Sequence, residues 1–84
     1  MIRITTQQAK SHAVITIDGQ LTAADLGELR RVRRSVRGKV ALKLDGLNVF
    51  ADDGIRLLRD WMDAGAKLEN ATPFLRMMLE RTNA

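Results

Sequence analysis

The spacing of apolar residues switches between a two-residue and a three-to-four-residue period along this chain. That alternation restricts it to a mixed α/β architecture. Ile2 and Ile4 alternate with Arg3 and Thr5, which predicts a strand over 2–6. The polar segment 7–12 reads as a turn, and the β-branched run Ala13-Val14-Ile15-Thr16-Ile17 as a second strand ended by Gly19. Thr22 can cap a helix, with Asp25 three residues on as a capping-box partner. Leu26, Leu29, Val32 and Val36 then form one helical stripe, stopped at Gly38. Residues 39–44 predict a third strand, broken by Asp45-Gly46, after which Leu47, Val49 and Phe50 lead into Ala51-Asp52-Asp53-Gly54. Ile55, Leu58 and Met62, widened by Leu57 and Trp61, mark a second helix that ends near Gly65. A short fourth strand occupies 66–69, and Thr72-Pro73 opens a third helix that runs to about Arg81.

The predicted order is β-β-α-β-α-β-α: a four-stranded mixed sheet with three helices, in one domain over 1–84. The expected core includes Ile4, Val14, Ile15 or Ile17, Leu26, Leu29 and Val32 from the first half. From the second half it takes Val40, Leu42, Leu44, Ile55, Leu58, Met62, Leu68 and Leu79. The chain has no cysteine, so disulfides, a Cys-ligated zinc site and a thiol nucleophile are excluded. A domain of 84 residues with no staple buries a small core, and a weak or moderate homodimer is expected. No apolar run approaches the ~20 residues of a membrane span, and the first residues lack the apolar stretch of a signal peptide. A soluble, cytoplasmic protein is therefore expected.

Charge is unevenly spread. Residues 1–48 hold nine Lys/Arg and four Asp/Glu, whereas 49–84 hold five and six, which together give the net +4. The excess comes from one stretch, Arg30, Arg31, Arg33, Arg34, Arg37 and Lys39, of which Arg30, Arg31, Arg34 and Arg37 are the candidate docking face. Three readings are open: a solvated helix face, a basic face that docks an acidic protein or an anion, or a nucleic-acid contact. With two Phe, one Trp and no Tyr, a base-stacking surface is poorly supplied. His12 stands alone in a turn and reads as solvated surface. Met62, Met77 and Met78 read as core filler, and Trp61 as a packing residue.

The run from Val40 to Leu58 carries a resemblance. Val40-Ala41-Leu42-Lys43-Leu44-Asp45-Gly46, then Val49-Phe50, then Ala51-Asp52-Asp53-Gly54-Ile55 resembles the STAS domain family of sulfate transporters and anti-sigma factor antagonists. Gly19-Gln20-Leu21-Thr22 and Gly65-Ala66-Lys67-Leu68 resemble two further segments of that family. The resemblance implies a minimal member, bacterial, that binds protein and takes part in regulation of transcription. Family members carry a phosphoacceptor Ser or Thr before the second helix. That position is Asp52 here, the preceding family Asp is Ala51, the following Ser is Asp53, and the family loop Asp becomes Thr22. A carboxylate offers a Ser/Thr kinase no hydroxyl, so the module is expected not to be switched by phosphorylation at this loop.

From the residues alone, Asp52 is expected as a helix N-cap and Asp53 as a first-turn acid, each favoured by the helix dipole by ~0.3–1 kcal/mol. They can also supply a permanent negative charge resembling a phosphoserine's −1.5 to −2. As a metal site the pair has too few ligands. The expected partner-binding residues are Thr22, Ala51, Asp52, Asp53, Gly54 and Arg56. No nucleophile–base pair or phosphate loop is present, so no enzyme, no catalytic residue and no cofactor is expected. The resemblance implies a kinase-like anti-sigma factor as partner. The alternatives are an accessory subunit docking on a transporter ATPase and a basic nucleic-acid-binding domain.

Overall fold

The computed structural model describes residues 2–80. The elements are β1 (Ile2–Gln8), β2 (His12–Leu21), α1 (Leu26–Ser35), β3 (Lys39–Lys43), β4 (Leu47–Phe50), α2 (Asp52–Asp63), β5 (Lys67–Asn70) and α3 (Pro73–Glu80). The expected end of the third helix at Arg81 lies outside the described residues. The α/β class, the three helices and the mixed sheet are as expected. The strand count is not, because the sheet has five strands and not four.

The path through the sheet is β1-β2-β3-β5, and β4 also pairs with β2. β1 runs antiparallel to β2, with Ile4 opposite Ile17, and the other pairings are parallel. β2 is ten residues long and serves two partners in succession. His12 to Thr16 pair with β3, and Gly19 to Leu21 pair with β4. Asp45-Gly46 does break β3, but the chain then returns to β2 instead of entering a loop. Gly46 sits against the Asp18 side chain, and its carbonyl accepts the Gly19 N–H at 2.9 Å. Gly19, with φ of 99°, does not end β2; it pairs with Leu47, and the β2–β4 ladder shifts register between Gly19 and Gln20. The hairpin turn is likewise shorter than expected. Gln7 and Gln8 remain paired, since a backbone ladder needs no apolar side chain.

Both parallel crossovers advance the sheet in the same direction, and right-handed connections therefore place α1 and α2 on one face. The burial pattern agrees. Ala13, Ile15 and Ile17 are fully buried against Leu29, Leu42 and Leu58, while Val14, Thr16 and Lys43 on the opposite face are half-exposed. That face tolerates water because most of its residues are polar, Arg3, Thr5 and Gln7 among them.

Most of the expected core is buried, and Ile15 and Ile17 both belong to it. Ile4, Val14, Val32, Met62 and Leu68 are only half-buried, because they lie on the sheet's open face or toward its edges and helix flanks. Leu21, Val36, Leu47, Leu57, Trp61 and Leu75 take their place. α3 is tied down by Leu75 and Leu79 in the core. The Arg59 guanidinium adds to this by donating twice to the Met78 carbonyl, at 2.7 and 3.1 Å. Among the described residues no helix is long and apolar enough to cross a membrane.

Candidate docking site at the sheet's carboxyl end

β2 and β4 end side by side. The Ala51 N–H donates to the Leu21 carbonyl at 2.9 Å and so sets Thr22 beside the start of α2. Carboxyl ends of parallel strands are where open α/β sheets present their binding crevices. The six residues singled out in the sequence, from Thr22 to Arg56, are thus gathered at this end of the sheet. Their roles differ from expectation in one respect: the helix N-cap is Ala51 and not Asp52. Ala51 has extended backbone angles, while Asp52 and Asp53 already belong to the first helical turn. Neither aspartate is needed as a cap, and both are exposed. Asp53 meets Arg56 at 3.6 Å, an exposed pair that contributes little to stability. Gly54 is buried and lies directly on Leu21.

Thr22 does cap, as expected, although the element it opens is a single 3₁₀ turn (Ala23–Asp25) leading into α1. Its N–H and hydroxyl both donate to the Asp25 carboxylate, at 2.9 and 3.0 Å. The backbone N–H of Thr22 is the main cause that holds Asp25 below the ordinary value of 3.8. Partial desolvation opposes it, and the Thr22 hydroxyl assists. A depressed carboxyl pKa contributes stability above the unfolded-state value and loses it as pH falls through the folded one. Asp25→Asn is therefore expected to be less stable than the native protein near neutral pH. The difference should shrink to nothing as pH drops below 3.8. Urea unfolding of both proteins across that window checks this; a gap that persists in acid would refute the charged contact.

Beside this loop lies an apolar surface that sequence reasoning did not single out. Phe50, at the end of β4, stacks on Phe74 with ring centroids 6.0 Å apart and planes inclined by 28°. Phe74 is 58% exposed, and Met77, one turn further along α3 and expected as core filler, is instead 59% exposed, because Leu75 and Leu79 occupy the core beneath the helix. The period of α3 allows either Leu75–Leu79 or Phe74–Met77 to face inward, and packing selects the former.

The arginines are not part of this site. α1 begins beside Thr22 and ends before β3, so Arg30, Arg31, Arg34 and Arg37 lie toward the amino ends of the parallel strands, and all four are exposed. Arg31 pairs with Glu28, and the backbone of Arg37 is bound by the Gln8 side chain. His12 is exposed at the start of β2. Met62 and Met78 are half-buried against the core, and Trp61 is buried in it. Among the described residues no three His, Asp or Glu side chains converge to hold a metal. No family model matches the chain, and no curated protein matches it.

Proposed function

We propose that this protein is a non-catalytic, STAS-like interaction module that docks another protein through the carboxyl end of its sheet. It would act in the manner of an anti-sigma factor antagonist that phosphorylation at the Asp52 position does not switch. The observation that carries the reading is the juxtaposition of two exposed aspartates with the exposed Phe74–Met77 surface. Exposed aromatic and methionine side chains beside fixed charges suit an interface with an apolar centre and a charged rim. The fitting partner is a kinase-like regulatory ATPase domain that offers an apolar pocket and a basic residue opposite Asp52 or Asp53.

The test is calorimetric titration of such a domain from the same cell with native protein and three variants. Phe74→Asp and Asp52→Lys are each expected to weaken binding about tenfold or more, a loss of ~1.4 kcal/mol. Arg30→Gln is expected to leave it unchanged. Equal affinity for all four proteins would remove this surface from the interface. Weak or moderate self-association is also proposed; sedimentation that shows only monomer at high micromolar concentration would end that part.

A further inference from the structure

A second site lies at the opposite end of the sheet, where the amino ends of β2, β3 and β5 meet the last turns of α1 and α2. A cavity of about 590 Å³ opens there, within the ~300–1,000 Å³ typical of small-molecule sites. Its apolar wall is made of small side chains, Ala13, Val40, Ala64 and Ala66 among them. Its polar lining is one-signed: Arg33, Lys39 and Lys67, together with Ser11 and His12, and no carboxylate. Among the described residues none of these five side chains makes a hydrogen bond or ion pair within the protein. Arg33 is half-buried, unlike the four exposed arginines of its neighbourhood. The carboxyl ends of α1 and α2 bring about half a negative charge each to this region. Three full positive charges outweigh them and leave the cavity attractive to anions.

We propose that this cavity binds a small organic phosphate. The phosphate is held by Arg33, Lys39 and Lys67, and an apolar body rests on the alanine-lined wall. Arg and Lys donors recognise phosphate oxygens through charge-assisted hydrogen bonds, and a wall of alanines leaves room for a flat, carbon-rich group. The site does not depend on the docking surface at the other end of the sheet.

Phenyl phosphate and inorganic phosphate are the probes, titrated into ¹⁵N-labelled full chain and followed by amide shifts. Phenyl phosphate is expected to bind saturably at one site, with shifts centred on residues 38–41 and 65–67. It should bind about tenfold more tightly than inorganic phosphate. Lys39→Gln with Lys67→Gln should weaken both probes about tenfold or more. Ala64→Phe, a change at an exposed position, should weaken phenyl phosphate alone because it fills the cavity without touching the charges. Linear, unsaturating shifts, or affinities indifferent to the lysine pair, would overturn the proposal whether or not Ala64→Phe folds. So would displacement of phenyl phosphate by a short oligonucleotide that binds far more tightly, since the basic end would then be a nucleic-acid contact.

Discussion

Substituting Gly38 by alanine is expected to lower the free energy of unfolding by ~2–4 kcal/mol. Gly38 has φ of 81°, a left-handed backbone that an alanine adopts only with strain. Space is the second obstacle. A Cβ there would collide with the backbone carbonyl of Ser11, which also accepts the Lys39 N–H at 3.0 Å. Backbone cannot swing aside as a side chain can, so relief would require separating the turn before β3 from the turn before β2. That separation would unpick the first rungs of the β2–β3 ladder, where His12 pairs with Lys39. Folded domains are stable by only ~5–15 kcal/mol, and one this small belongs toward the lower end. Urea unfolding should show a large fall in midpoint with a nearly unchanged slope. A loss under ~0.5 kcal/mol would show that the two turns relax independently.

Leu21 and Gly54 are expected to be strongly coupled. Leu21 is fully buried, so Leu21→Ala should cost ~2–5 kcal/mol. Gly54 lies in the first turns of α2, where alanine would ordinarily gain up to ~1 kcal/mol in helix propensity. Here its Cβ would meet Leu21 Cδ2 at 2.5 Å and Cγ at 2.9 Å. Gly54→Ala should therefore cost ~1–3 kcal/mol by overpacking. In the double variant the new methyl occupies space that the shortened side chain vacates. The combined loss should fall short of the sum by ~0.5–3 kcal/mol. Strict additivity would mean that α2 does not sit on the end of β2 as described, and the placement of Asp52 and Asp53 beside Thr22 would fall with it.

Leu47–Phe50 shows why one strand escapes a reading of local spacing. Its four residues come after an Asp-Gly turn and have no period long enough to read, and the far end of β2 is what makes them a strand. Asp52 shows the limit for caps. Its residue type suits an N-cap, but pairing of Ala51 with Leu21 starts the helix one residue earlier and places Asp52 inside it. The Thr22–Asp25 contact, by contrast, was legible because both partners lie within four residues and need no distant element.

Local spacing along the chain was enough to determine most of the elements, the antiparallel hairpin and the parallel crossovers, because apolar period and turn residues act over a few positions. It also located the loop around Asp52, since the strand, the acid pair and the helix succeed one another directly. Spacing already placed Leu79 in the core, but that Phe74 and Met77 stay in water was decided only by packing, because Leu75 and Leu79 fill the space beneath α3. The basic cavity was decided in the same way. Ser11, Arg33, Lys39 and Lys67 come from separate turns, strand starts and a helix, and no sequence period relates them. They meet only because parallel strands put all their amino ends on one side.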